Sequence, residues 1–213
     1  NKISVTYLAA DESFYPNTDK AAIDNVINKY GISSPYLLYV GTMGMNKNIG
    51  ALIKAYRLLR KENKFQHKLV ICGKKTRIYP ELKNLAVEFN LEKEIIFTGY
   101  VPDEDLPFIY NGSEIFLYMS LYEGFGLPVL EAMSCGKPVI VSKLSSIPEV
   151  AGKAGVLVNP DDIEQIAAET TALLSDEKKR TFLGKAAFEQ SKNFSFEKCA
   201  RETMEIYRKF YRP

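Results

Sequence analysis

Glu123 and Glu131 stand eight positions apart and bracket a glycine-rich turn, Glu123-Gly-Phe-Gly-Leu-Pro-Val-Leu-Glu131. An apolar run, Ile115 to Met119, leads into the turn, and a helix-like run, Leu127 to Met133, leads out of it. A strand, a glycine turn and a helix N-terminus together present unpaired backbone N–H groups and the positive end of a helix dipole, which suits phosphates. Two carboxylates beside such a pocket repel an anion unless they point elsewhere. Uncharged hydroxyls, as on a sugar or ribose, are their natural partners. Polyol plus phosphate is the chemistry of a nucleotide sugar. One geometry the spacing allows sends Glu123 toward the sugar and Glu131 toward the ribose, with the N–H groups of Gly124 to Leu127 facing the phosphates. The plainer alternative makes Glu131 a dipole-stabilised acid at a helix start and Glu123 a solvated loop charge. The glycine turn and its strand context weigh against that alternative.

A second loop carries related chemistry. Gly41-Thr-Met-Gly-Met-Asn-Lys47-Asn-Ile-Gly50 follows the apolar run Tyr36–Val40 and opens a helix. In open α/β sheets such loops line the ligand crevice at the carboxyl ends of the strands. Glycines there let a diphosphate approach the backbone, and Lys47 can supply a point charge. An ordinary turn that needs glycine for its geometry reads equally well. The loop is neither a Walker A loop nor GxGxxG, so ATP and NAD gain no support.

These loops need elements to hold them. Candidate strands are Ser4–Leu8, Tyr36–Val40, Lys68–Cys72, Glu94–Thr98, Glu114–Met119, Pro138–Val141 and Gly155–Val158. Most are continuous apolar runs, as expected where both sheet faces are covered. Helical stripes lie between them: Ile49, Leu52, Ile53 and Tyr56 form one, and Leu82, Leu85, Ala86 and Phe89 another. This alternation specifies βαβ units, an α/β chain with a Rossmann-like parallel sheet flanked by helices. The tail is helical from about residue 161: Asp161 is placed as a cap with Glu164 as its capping-box partner, a charged helix spans about Asp176 to Asn193, and Ser195 caps a last helix. That helix carries Phe196, Cys199, Ala200, Thr203, Tyr207, Phe210 and Tyr211 on one stripe, which reads as a core face. The whole is read as one domain with a helical flank over about 161–213.

Bulk properties exclude several classes. The 213 residues carry 46% hydrophobic and 25% charged residues, the composition of a globular domain. A net charge of +2 argues against general nucleic-acid binding, which needs a basic patch or stripe. No apolar run approaches the roughly 20 residues of a membrane helix. Cys72, Cys135 and Cys199 are far apart and odd in number, which reads as buried thiols in a reducing, cytoplasmic setting. The start at Asn1 rather than Met suggests a piece of something longer. The single histidine, His67, is expected to be neither a general base nor a metal ligand, and Lys178-Lys-Arg180 reads as an exposed helix face.

The stretch Glu114–Asp162, with its Glu123-to-Glu131 spacing and Ser146-Ile-Pro-Glu-Val-Ala-Gly, closely resembles the glycosyltransferase family 4 signature. Val40-Gly-Thr…Lys47-Asn-Ile and Phe97-Thr-Gly-Tyr-Val-Pro-Asp103 resemble that family's other landmarks. The resemblance implies a retaining nucleotide-sugar glycosyltransferase of the GT-B fold, with this chain its C-terminal, donor-binding half. It implies a GDP- or UDP-sugar donor, with mannose the favoured sugar from likeness to bacterial polymer mannosyltransferases. It also implies an acceptor glycan or lipid-linked glycan held by an N-terminal domain, at the cytoplasmic face of a membrane. Residue by residue, Glu131 would hold the ribose, Glu123 a donor-sugar hydroxyl, and Lys47 the diphosphate, with Gly41 and Thr42 beside it. Gly124, Phe125, Gly126 and Leu127 would line the phosphates, and the backbone of Tyr100 and Val101 would meet the base. Glu123 and Lys47 would carry the catalytic roles, with no cofactor and no metal. Relatives usually add an arginine to the first loop, where this chain has Thr42 and Asn46. Lys74, Lys75 and Arg77 could compensate, or could be a solvated loop. A non-catalytic binding module, a phosphorylase and a nucleotide-sugar epimerase are the competing readings. The terminal helix of relatives packs across the N-terminal domain, which would leave Tyr207, Phe210 and Tyr211 exposed here.

Overall fold

The apolar runs become strands of one parallel sheet, and the stripes become the helices that cover it. The computed structural model describes residues 3–61 and 65–210. In chain order the elements are α1 (Lys20–Lys29), β1 (Tyr36–Val40), α2 (Ile49–Lys61), β2 (Lys68–Cys72), α3 (Tyr79–Glu88), β3 (Ile95–Gly99), α4 (Leu106–Gly112) and β4 (Ile115–Tyr118). There follow α5 (Leu127–Ser134), β5 (Val139–Ser142), α6 (Ile147–Ala151), β6 (Val156–Val158), α7 (Ile163–Ser175), α8 (Glu177–Ser191) and α9 (Phe196–Phe210). The sheet order is β3-β2-β1-β4-β5-β6 with every pairing parallel. Strands β1, β4 and β5 are buried at every residue, whereas the edge strands β3 and β6 are only partly so. Continuous hydrophobicity is what such doubly covered strands require.

Six of the expected strands fall within one residue of the observed ones. The seventh, Ser4–Leu8, is not a strand. Its β-branched residues suit extended backbone, but it pairs with no strand and runs as a strap whose Ile3 and Val5 remain exposed. Tyr7 anchors it, packing 6.0 Å from Phe125 and 5.6 Å from Phe194 between ring centroids. Helix α1, absent from the periodicity reading, is capped by the Asp19 side chain, which accepts the Ala22 N–H.

Helices α2, α3 and α7 form one layer, and α1, α4, α5, α6 and α8 the other. The α2 stripe of Ile49, Leu52, Ile53 and Tyr56 is fully inward, as the spacing demands. At α7 the cap shifts by one residue from the expected Asp161: Asp162 accepts the Gln165 N–H at 2.8 Å. Gln165, not Glu164, folds back, accepting the Asn159 N–H. Asp161 instead accepts from the Asn48 side-chain amide. Arg180, expected on an exposed face, donates to the Leu173 and Leu174 carbonyls at the end of α7. Helix α8 approaches α5 closely because Gly184 lacks a side chain; a Cβ there would lie 2.5 Å from the Gly136 carbonyl oxygen.

Ser195 caps α9 as expected, accepting the Lys198 N–H. The stripe of α9 is not core: none of its residues is buried. Phe196, Tyr207 and Phe210 are exposed, and Tyr211 lies outside the described residues. No described helix is long and apolar enough to cross a membrane.

Candidate functional site

Strand order reverses between β1 and β4, which neighbour each other in the sheet while their successors run outward in opposite directions. Ligand crevices in open sheets form at this point, beyond the carboxyl ends of the strands. A cleft of about 840 Å³ opens there. Its walls include Gly41, Thr42 and Lys47 from the β1 loop and Glu123 through Pro128 from the β4 loop, together with Glu131, and the strap contributes Val5 to Leu8. Both glutamates thus reach one cleft.

The β1 loop is fixed from two sides. The Gly41 N–H donates to the Cys72 carbonyl at 2.9 Å and the Met43 N–H to the Lys74 carbonyl at 3.0 Å. Gly73 permits this approach: a Cβ on it would lie 2.1 Å from the Gly41 oxygen, and its φ is +141°. Toward β4, the Asn46 carbonyl accepts the Leu121 N–H at 2.8 Å and the Ser120 hydroxyl at 3.0 Å, while its side-chain amide donates to the Tyr122 carbonyl. Asn46 therefore ties the two cleft loops together. A short 3-10 turn, Met45–Lys47, then delivers Lys47 into the cleft.

There Lys47 and Glu123 meet each other. The Lys47 ammonium lies 2.5 Å from Glu123 Oε1 and 3.3 Å from the Tyr118 hydroxyl, and both charged side chains are mostly buried. The Tyr118 hydroxyl donates to the same oxygen at 2.7 Å. Burial opposes the charged form of Glu123, but hydrogen bonds from Lys47, Tyr118 and Ser120, with the Lys47 charge, outweigh it and hold the carboxyl below the ordinary glutamate range. Ser145, in left-handed backbone at φ +59°, accepts the Glu123 N–H and donates to the Glu123 carbonyl. Ser146 donates to the Phe125 carbonyl. Two serines thus pin the backbone of the turn.

Glu131 lies one turn into α5, and the Tyr110 hydroxyl donates to its Oε2 at 2.7 Å. Burial raises this carboxyl above the ordinary range, Asp103 adding to the effect and the Tyr110 bond opposing it. Helix α5 is preceded by Gly126 as its cap, in left-handed backbone with no side-chain hydrogen bond, and Pro128 brings no N–H. Among the described residues, no group accepts the backbone N–H of Gly124, Phe125, Gly126 or Leu127. Four successive donors thus line the cleft between the two carboxylates.

Other expected residues lie elsewhere. Tyr100 and Val101 follow β3, beyond β2, and are not in the cleft wall; the Tyr100 ring is exposed and Val101 is buried. Asp103, from the same loop, is nonetheless close enough to act on Glu131. Lys74, Lys75 and Arg77 are exposed and outside the cleft wall. Lys75 sits over the Tyr79 ring and Arg77 beside the Met45 sulfur, so neither fills the place of the missing arginine. His67 lies 3.1 Å from Glu114 at the opposite ends of the strands. Tyr110, Tyr118, Ser145 and Ser146 escaped sequence reasoning. For the tyrosines, a polar tip at buried positions was the available signal.

The family model described as glycosyl transferases group 1 matches residues 22–190. The chain belongs to the group 1 glycosyl transferases. It is 39% identical over 209 residues to O-antigen chain mannosyltransferase B of Escherichia coli, covering 98% of this chain and 55% of that protein. It is 36% identical over 188 residues to the serotype-specific mannosyltransferase WbdA of the same organism, covering 86% and 23%. Among solved structures, the C-terminal domain of the group 1 protein LpcC from Francisella tularensis matches at a TM-score of 0.75 and 27% identity, covering 87% of this chain and 97% of that domain. Anabaena HepE, solved with UDP and glucose, matches at a TM-score of 0.85 over 96% of this chain and 56% of its own, a likeness of fold at 21% identity. This group 1 glycosyl transferase chain thus spans about half the first relative's length and about a quarter of the second's.

Proposed function

We propose that this chain is the donor-binding half of a retaining hexosyltransferase, which moves mannose from a nucleoside diphosphate sugar to an acceptor hydroxyl. The observation that carries this reading is the row of four unpartnered N–H groups between Glu123 and Glu131. A diphosphate laid on those donors and on the positive end of α5 places a polyol at either end, against one carboxylate each. Mannose is favoured by the two mannosyltransferases to which the chain is similar. The acceptor, a glycan or lipid-linked glycan, would be held by a separate N-terminal domain, so this half alone binds donor without turning it over. The free cysteines suit a reducing, cytoplasmic setting.

In this reading Glu131 accepts from the ribose hydroxyls and Glu123 from a sugar hydroxyl. The backbone beyond β3, near Tyr100 and Val101, meets the base, within reach of Glu131 through the Asp103 loop. The departing diphosphate is stabilised by Lys47 and the N–H row, donors fixed by the fold before the reaction. Lys47 then moves from Glu123 toward the phosphates or shares itself between them. Gly124 supports close approach of the ligand: a Cβ there meets no protein atom within 4 Å, so the fold itself leaves the space open.

The competing reading, a binding module without chemistry, draws on the single cation, Lys47, among the residues lining the cleft. Calorimetric titration with GDP, UDP, GDP-mannose and UDP-glucose separates the two. Binding of at least one matched pair is expected, and failure of all four would sink the donor assignment.

A further inference from the structure

Five aromatic rings form a continuous column beneath the cleft: Phe14, Tyr110, Phe116, Tyr118 and Tyr39. Successive centroids lie 5.6, 5.5, 5.8 and 5.6 Å apart. The last three rings lie nearly parallel, at interplanar angles of 18° and 14°, so the Tyr118 ring is packed against two neighbours. Tyr110 and Tyr118 are wholly buried, yet each hydroxyl reaches a glutamate of the cleft wall, and Tyr118 itself lines the cleft. We propose that Tyr110 and Tyr118 are positioning residues, one for each glutamate, and that the column linking them sets both carboxylates as a unit.

Three observations carry this inference. Each hydroxyl meets a different glutamate at the same distance, Tyr110 to Glu131 Oε2 and Tyr118 to Glu123 Oε1, both 2.7 Å. In each case the tyrosine takes one carboxylate oxygen, Oε2 of Glu131 and Oε1 of Glu123, where Lys47 also bonds and Ser120 adds a further hydrogen bond to the carboxyl; Glu131 Oε1 is left for a ligand hydroxyl. Finally, phenylalanine would fill these buried sites as well, and a buried hydroxyl is unfavourable unless bonded, so the two hydroxyls are there for the contacts they make. Burial first, and the facing carboxylates after it, hold both phenols far from ionisation, so they stay donors at every working pH. Freezing a glutamate's rotamers before the ligand arrives removes part of the ordering loss on binding.

This rests on the donor reading above, and the experiment keeps the two apart. Tyr118→Phe and Tyr110→Phe preserve the column and delete one hydroxyl each. With GDP, GDP-mannose, UDP and UDP-glucose as probes, Tyr118→Phe should weaken the sugar nucleotide about tenfold while leaving the bare nucleotide unchanged. Tyr110→Phe should weaken both members of the pair about equally, also about tenfold. Without any ligand, carbon-13 titration of the glutamate carboxyls should show Tyr118→Phe raising Glu123 alone and Tyr110→Phe raising Glu131 alone. The groups facing Glu123 in that titration are Lys47, Tyr118 and Tyr39; those facing Glu131 are Tyr110, Asp103, Cys135 and Tyr118. Carboxyl titrations that stay put in both variants, or equal losses for all probes in both, would overturn the positioning roles and leave the tyrosines as packing. Those matched shifts in the carboxyls, with no nucleotide bound even by the unsubstituted chain, would instead uphold the positioning roles and overturn the donor reading.

Discussion

Burial and the Asp103 carboxylate push Glu131 above the ordinary glutamate range, while Lys47 and Tyr118 pull Glu123 below it. The two therefore affect stability with opposite signs. A glutamate whose folded value is raised loses stability as pH climbs from its unfolded value through its folded one. A glutamate whose folded value is lowered adds stability above the unfolded value and loses it as pH falls through the folded one. Glu131→Gln should accordingly raise the melting temperature at pH 7 by about 2–4 °C, roughly 1 kcal/mol, with the gap to the unsubstituted protein closing at acid pH. The same change should weaken nucleotide binding by about 1–3 kcal/mol. A lower melting temperature in Glu131→Gln would show that the carboxylate is needed by the fold. Lys47→Ala strands the mostly buried Glu123 charge, so it should destabilise by about 1–3 kcal/mol. It should also flatten the salt dependence of diphosphate binding, read from titrations at several ionic strengths.

At the scale of the element, the turn into α5 separates two kinds of glycine. Gly126 caps the helix at φ +107°, where a side chain is strained, while Gly124 faces open space. Gly126→Ala should destabilise by about 1–2 kcal/mol through backbone strain. Gly124→Ala should leave the melting temperature unchanged and still weaken nucleotide diphosphate binding at least tenfold, because its methyl would occupy the ligand's place. Thermal melts and calorimetry on the pair decide it, and unaltered binding in Gly124→Ala would move the diphosphate off this turn. The strap belongs to the same scale. Its residues suit extended backbone, which predicts a strand, but pairing is decided by a free sheet edge within reach. Its Tyr7 side chain found Phe125, Phe194 and, through its hydroxyl, Glu149 at 2.8 Å instead.

Across the whole molecule, the exposed face of α9 stands out. Phe196, Met204, Tyr207 and Phe210 leave a helix of strongly one-sided apolarity with no buried residue. An apolar face of this kind, left open to solvent, promotes self-association. Sedimentation of the 213-residue chain should therefore show concentration-dependent association. Tyr207→Ser with Phe210→Ser should abolish it with little change in melting temperature. A monomer at all concentrations would show the face to be harmless to solubility.

Local chemistry was legible in the sequence. Continuous apolar runs specify six strands to within a residue, the α2 stripe specifies its inward face, and the glycine turn between two glutamates marks the cleft. These follow from spacing alone, because the periods of strand and helix are fixed by backbone geometry. The partners across the cleft were not legible. Lys47 and Glu123 are 76 residues apart, and they meet only because β1 and β4 lie side by side. Tyr118 was hidden in an apolar run, Tyr110 in a helix not recognised from its sequence, and the α7 cap fell to Asp162 while Asp161 met the distant Asn48 amide. Which side chain meets which oxygen depends on how a crossover brings distant segments together, and tertiary packing alone determines that.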